Sequence, residues 1–124
     1  MASPAVRVLV VDDEPHVAGL LRELLGALGH TVQLAPTAAD ALQFVPEFRP
    51  DVVLLDLSLP DMPGEVALAR LRETTPGVPV IIMTGHDPEL ARGMLAHGAF
   101  DYLLKPFNLK RLGQVLDAAL SDRK

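Results

Sequence analysis

Short apolar runs return along this chain at regular intervals, each bounded by Gly, Pro or Asp. Residues 6–11, 52–55, 78–83 and 100–104 are rich in Val, Ile and Leu, and a weaker run at 31–34 follows Gly29-His30. Runs this short, without polar alternation, predict strands buried on both faces. Between them the spacing becomes helical. Val17, Leu20, Leu21, Leu24, Leu25 and Leu28 follow the i, i+3, i+4, i+7 rule, with Pro15 suited to the first turn and Gly29 to the end. A second helix takes Thr37 as N-cap with Asp40 three residues on, turns Ala38, Ala41, Leu42 and Val45 inward, and is expected to stop before Pro46. A third runs over 65–73, a fourth opens at Asp87-Pro88 and ends at Gly98, and a fifth carries Leu109, Leu112, Leu116 and Leu120 after Asn108. Strand and helix thus alternate five times, which predicts an α/β domain with a parallel sheet and right-handed crossovers. In such sheets the working groups lie beyond the carboxyl ends of the strands.

The length of 124 residues suits one domain, and no repeat, linker or low-complexity tract divides it, so residues 1–124 are read as a single unit. No apolar stretch approaches the roughly 20 residues of a membrane-spanning helix. The first residues, MASPAVRVLVV, lack a small-residue cleavage site after the apolar run, so a soluble, uncleaved protein is expected. A net charge of -5 disfavours attraction to nucleic acid or anionic lipid. The absence of cysteine excludes disulfides, thiol catalysis and zinc-cysteine sites, and it fits a reducing cytoplasm.

Each predicted strand releases polar groups at the same end. The first is followed by Asp12, Asp13 and Glu14, the third by Asp56, the fourth by Thr84 and the fifth by Lys105. Carboxylates gathered at a half-buried sheet edge repel one another and lose solvation, so something must compensate them. Oxygen ligands without Cys or neighbouring His suit Mg2+, whereas Ca2+ would prefer more protein ligands. Lys105 and Thr84 could hold the oxygens of a phosphoryl group, and a carboxylate nucleophile completes the set.

With Asp12-Asp13, Asp56, Pro60, Gly64, Thr84 and the Lys105-Pro106-Phe107 triplet in this order, the chain resembles the receiver domain of bacterial two-component response regulators from about Val6 to Leu120. The resemblance implies a doubly wound, flavodoxin-like fold: a five-stranded parallel sheet in the order 2-1-3-4-5 flanked by five helices. It implies that Asp56 accepts the phosphoryl group, that Asp13 and Asp56 bind Mg2+ directly with the backbone carbonyl of Ser58, and that Asp12 acts through a metal-bound water. Thr84 and Lys105 would contact the phosphoryl oxygens, Thr84 and Tyr102 would switch, and the Lys105-Pro106 bond would be cis. His16, Val17 and Phe107 would touch the phosphodonor. The implied partners are a sensor histidine kinase or histidine phosphotransfer protein and an output domain or protein acting through helix 4, strand 5 and helix 5. A phosphorylation-dependent dimer is allowed, although Gly98-Ala99-Phe100-Asp101-Tyr102 departs from the Ala-Asp-Asp-Tyr pattern of the winged-helix subfamily. Neither nucleic acid nor membrane is an expected direct partner. The domain would catalyse its own Mg2+-dependent phosphorylation and dephosphorylation without turning over external substrates.

Plainer readings exist for each residue. A strand-end Asp is often a helix N-cap, a lysine is usually solvated, Thr84 could be an ordinary strand-end residue, and Tyr102 a β-former with a polar tip. Their joint occurrence favours the chemical reading. No organic cofactor is expected. A flavodoxin-like carrier would place a hydroxyl- and glycine-rich loop where this chain has Asp12-Asp13-Glu14-Pro15, and a haloacid-dehalogenase-type phosphatase would carry Asp-x-Asp there. A degenerate receiver would lack some of the chemical positions, and all are filled. His16, His30, His86 and His97 lack metal-ligand spacing and are expected at the surface.

Overall fold

The computed structural model describes residues 5–106 and 108–121. Five strands, β1 (Arg7–Val11), β2 (Thr31–Ala35), β3 (Val52–Asp56), β4 (Val80–Thr84) and β5 (Asp101–Leu104), form one parallel sheet in the order β2-β1-β3-β4-β5. Five α-helices follow them in turn among the described residues: α1 (Pro15–Ala27), α2 (Ala38–Phe48), α3 (Gly64–Thr74), α4 (Pro88–Gly93) and α5 (Leu109–Ser121).

The apolar runs are uninterrupted because both faces of the sheet are covered. Leu9, Val11, Val53, Leu55 and Ile82 pack toward Ala41, Val45, Leu68 and Leu71 of α2 and α3. Val8, Val10, Val52, Leu54, Ile81 and Met83 alternate with them and meet Leu21, Leu25, Leu112 and Val115 of α1 and α5. Burying each large aliphatic side chain contributes about 1.5–3 kcal/mol before chain entropy is subtracted. Strand β1 lies between β2 and β3, with Val11 opposite Ala35 on one side and Leu55 on the other. The chain therefore leaves β1 at the point where the strand order reverses, and a crevice opens there.

Several local expectations need correction. Helix α2 continues past Pro46 to Phe48. Pro46 is exposed, so its ring faces water, while Val45 and Phe48 on the inner side remain buried. The Arg7 guanidinium stacks 4.3 Å from the Phe48 ring centroid and its Nε donates to the Phe48 carbonyl. Burial and stacking at the last turn outweigh one missing helical N–H. The helix ends at Arg49, which takes a left-handed conformation (φ 52°). Strand β4 begins at Val80 rather than 78, after Pro79, which has no N–H to donate to the ladder. Helix α4 is short and tightens into a 3₁₀ turn over Met94–His97 before Gly98, whose φ is 101°.

On α1, Leu21 and Leu25 are buried, but Leu20 is 51% and Leu28 48% exposed: the apolar stripe is wider than the face the sheet covers. His30 is half-buried and its Nδ1 accepts from the Val6 N–H, so it is not a surface residue. The cap expected at Thr37 forms, and Asp87 and Asn108 cap the helices that open after them. The Thr37 hydroxyl accepts from the Asp40 N–H, Asp87 from Leu90 and Asn108 from Arg111. No described helix is long and apolar enough to cross a membrane.

Candidate functional site

Strands β1, β3, β4 and β5 deliver their polar residues to one edge. Asp12 and Asp56 are 3% and 2% exposed, while Asp13, one position further from β1, is exposed. One carboxylate oxygen from each of Asp12, Asp13 and Asp56 lies within 4.8 Å of the others. Three like charges at this spacing, two of them shielded from water, are held together against repulsion.

Lys105 offsets part of it. Its Nζ is 2.8 Å from Asp12 Oδ2, 3.4 Å from Asp56 Oδ1 and 3.7 Å from Glu14 Oε1. The Lys105-Pro106 bond is cis, as the resemblance implied, and the Lys105 N–H donates to the Thr84 carbonyl at 2.7 Å. Burial works against the Lys105 ammonium, but the hydrogen bond and charge of Asp12, then the charge of Asp56, outweigh it and hold its pKa above the usual lysine value. Asp56 moves the other way from most paired carboxylates. Burial first and the Asp12 charge second push its pKa up, while Lys105 and the Ser58 N–H pull it down without winning. One ammonium is insufficient for three carboxylates. An all-oxygen cluster with residual negative charge and an exposed side fits a small, partly hydrated divalent cation.

Asp12 is the most constrained member, because its Oδ1 also accepts from the Glu14 N–H at 2.9 Å. Asp13, by contrast, is exposed and lines the opening. Ser58 is exposed beside Asp56, at the start of the loop between β3 and α3. Thr84 is buried, and its Oγ1 accepts from the N–H groups of His86 and Asp87 at 3.4 and 3.3 Å. The hydroxyl proton is thereby left to donate elsewhere. Tyr102 does not reach the carboxylates. It is half-buried on β5 against the α2/α3 side of the core, on a strand packed beside α4.

The opening is a cleft of about 350 Å3 whose walls include Asp13, Val17, Leu20, Ser58, Gly85 and Pro106. Val17 therefore stands where phosphodonor contact was expected. His16 is exposed on the same turn but is not among the lining residues, and Phe107 lies outside the described residues.

Sequence reasoning gave no separate role to Glu14, to Arg111, or to Asp61. Arg111 donates to the Tyr102 carbonyl at 3.3 Å and pairs with Asp101 at 3.5 Å, bracing β5. The Asp61 carboxylate accepts from the N–H groups of Ala38 and Ala39 at 3.1 and 2.9 Å. Slight burial would raise the Asp61 pKa, but those N–H groups outweigh it and hold the carboxyl below its usual range. No spacing rule links Asp61 to residues 22 and 23 positions earlier, so only the fold could reveal this bond.

The family model for the response regulator receiver domain matches residues 8–117. The chain is 38% identical over 115 residues to the regulatory protein AtoC of Escherichia coli, covering 92% of this chain and 25% of AtoC. It is 40% identical over 110 residues to the response regulator MprA of Mycobacterium ulcerans, covering 87% of this chain and 47% of MprA. The chain thus spans a quarter to a half of these relatives. Among solved structures, NtrX of Brucella abortus superposes with a TM-score of 0.91 at 33% identity, over 95% of this chain and 27% of that one. A CheY-like receiver domain protein of Methanospirillum hungatei gives 0.89 at 28% identity and covers 96% of both chains.

Proposed function

This chain belongs to the response regulator receiver domains, the phosphoacceptor modules of two-component signalling, and from that premise we propose that Asp56 is its phosphoacceptor in a Mg2+-dependent switch. The carrying observation is the convergence of Asp12, Asp13 and Asp56 within 4.8 Å, with Lys105 compensating only part of their charge. Asp13, Asp56 and the Ser58 carbonyl are assigned to hold the cation directly, and Asp12 through water. When bound, Mg2+ neutralises charge developing on the transferred group.

The chain's own residues do the rest. An Asp56 carboxylate oxygen attacks the phosphorus of a phosphohistidine. The new O–P bond forms as the P–N bond breaks, and the electron pair leaves on the imidazole nitrogen, which then takes a proton. Lys105 stabilises the phosphoryl oxygens, and Thr84 donates the hydroxyl proton that its two backbone contacts leave available. Turning Thr84 toward the phosphoryl group releases the His86 and Asp87 amides and so loosens the entry to α4. Tyr102, on the strand packed beside α4, then repacks.

Residues 1–124 act as a single receiver domain that modifies only itself. The donor is a sensor histidine kinase or histidine phosphotransfer protein, docking over Val17 and the cleft, with His16 at its margin. The output partner binds the α4, β5 and α5 surface, and phosphorylation permits a dimer there. The absence of cysteine supports a cytoplasmic site of action.

The test is intact-mass analysis after incubation with Mg2+ and a small phosphodonor such as acetyl phosphate. One hydroxylamine-sensitive phosphoryl adduct is expected, absent from Asp56→Asn. An adduct persisting at the parental rate in that variant would refute the assignment.

A further inference from the structure

The proposed cation site draws on two chain segments that are not neighbours in sequence: the end of β1, followed by Asp12 and Asp13, and the end of β3 with its following loop over 57–63, carrying Asp56 and Ser58. Both are fastened to the same stretch, residues 35–39. On one side the Asp12 N–H donates to the Ala35 carbonyl at 3.0 Å. On the other, Asp61 in the loop accepts from the Ala38 and Ala39 N–H groups at the start of α2. Only two residues, Pro36 and Thr37, separate these attachments.

At its two ends the loop is also hydrogen-bonded, the Leu57 N–H donating to the Met83 carbonyl at 3.1 Å and the Pro63 carbonyl accepting from the Val66 and Ala67 N–H groups of α3, while the side chains between them hold it by apolar packing. Leu57, Leu59 and Met62 pack into the α2/α3 side of the core, and Gly64 approaches Leu57 so closely that a Cβ there would clash with Leu57 Cδ2. Apolar packing holds the loop down but tolerates sliding, because it has no directional preference. A carboxylate accepting two adjacent backbone N–H groups fixes distance and orientation together.

We propose that Asp61 is a positioning residue for the cation site: by tying the 57–63 loop to the residues that also brace Asp12, it sets the spacing between the Ser58 side and the Asp12-Asp13 side of the cluster. The inference rests on the reading of the cluster as a Mg2+ site. It also explains why an exposed Asp between Pro60 and Met62 is committed to a helix start that already has Thr37 as its cap. Ala38 and Ala39 are N1 and N2 of α2, whereas Thr37 receives the N–H of Asp40, so the two side chains satisfy different orphan donors.

Thr37→Ala supplies the matched control. It weakens the same helix start by the loss of one capping bond but leaves the loop attached. Mg2+ alone, in the absence of phosphodonor, is titrated into the full chain while the amide resonances of Asp13, Ser58 and Gly85 are followed. Amide hydrogen exchange is measured at residues 38, 39 and 58. In Asp61→Ala, Mg2+ affinity should fall about tenfold, the lower end of what outer-shell supports contribute. Exchange at 38, 39 and 58 should quicken together. Asp61→Asn, which keeps one acceptor oxygen, should lose less than Asp61→Ala and covers the case in which the alanine variant does not fold. Thr37→Ala should bind Mg2+ within about twofold of the parent, because a cap contributes to helix stability and not to ligand spacing. Parental Mg2+ affinity in both Asp61 variants, or an equal loss in Thr37→Ala, would overturn the inference while leaving the cation site intact. A parent chain that shows no Mg2+ response would overturn the site and this inference together.

Discussion

Replacing Lys105 with Met keeps the length of the side chain and removes its charge, which isolates what the ammonium does among the carboxylates. Nζ lies 2.8 Å from Asp12 Oδ2 and 3.4 Å from Asp56 Oδ1, and the lysine side chain is 12% exposed. At an effective dielectric constant of about 20, Coulomb's law gives roughly 6 kcal/mol for the first contact and roughly 5 kcal/mol for the second, both gross. Burial of the ammonium cancels much of this. Removing one partner from a buried pair typically destabilises by about 3–5 kcal/mol, because the remaining charge is left uncompensated. Exposed Asp13 and Glu14 let water reach one side of this cluster, so about 3 kcal/mol is the better figure. At about 3–5 °C per kcal/mol for a chain of this length, the melting temperature should fall by about 10 °C in metal-free buffer.

Two further readings make the test stringent. Removing a cation from the site leaves it more negative, so Mg2+ should bind Lys105→Met more tightly and recover more stability there. At about 100 times its Kd, a ligand specific to the folded state returns about 2.7 kcal/mol, and the variant reaches that point at a lower concentration. The pH dependence has a definite sign. The raised Lys105 pKa means its stabilisation is fully present below the ordinary lysine value and is lost as pH rises through the folded value. The raised Asp56 pKa means that ionising this carboxyl lowers stability as pH rises from its unfolded value through the folded one. In Lys105→Met the Asp56 pKa should rise further, so the deficit should shrink as the buffer is acidified through the carboxylate range. Thermal melts by circular dichroism with and without Mg2+, at several pH values, report all three. An unchanged melting temperature without metal, or a smaller Mg2+ response in the variant than in the parent, would refute the electrostatic account.

Asp13→Ala should lose the Mg2+-induced rise in melting temperature while its metal-free stability shifts by less than about 0.5 kcal/mol, since the side chain is exposed; thermal melts across a Mg2+ series check it. Thr84→Ala should still form the Asp56 adduct but destabilise by about 1 kcal/mol through the contacts to the His86 and Asp87 amides. Beryllofluoride with Mg2+ should then shift amide resonances over 84–97 and 100–106 in the parent more than those over 31–45, and this difference should disappear in Thr84→Ala. Gly98→Ala should cost about 1–2 kcal/mol from its positive φ alone. Its Cβ would also clash with the Arg72 guanidinium, displacing an arginine that donates to the His97 carbonyl, so denaturant melts should show at least that loss with Mg2+ affinity unchanged.

Local chemistry was enough to determine the alternation of strands and helices, the buried character of β1, β3 and β4, the cap at Thr37, the helix starts at Asp87 and after Asn108, and the polar group at each strand end. These follow from periodicity and from side chains acting on backbone a few residues away, and both are written in consecutive letters. The order of the strands was legible only through the motif set taken together, which also supplied the expected site roles. What the tertiary structure decided depends on surfaces meeting. Leu20 and Val17 look as apolar as Leu21 and Leu25, yet the sheet covers only one face of α1, and part of the remainder becomes the wall of a cleft. Pro46 reads as a helix stop, but Phe48 buried beneath Arg7, 41 residues away, carries α2 beyond it. Asp61 reads as a turn residue, and its attachment to Ala38 and Ala39 exists because β1, lying between β2 and β3, brings the start of α2 alongside the loop after β3. Hydrogen bonds and packing across such separations depend on three-dimensional proximity, which no local spacing encodes.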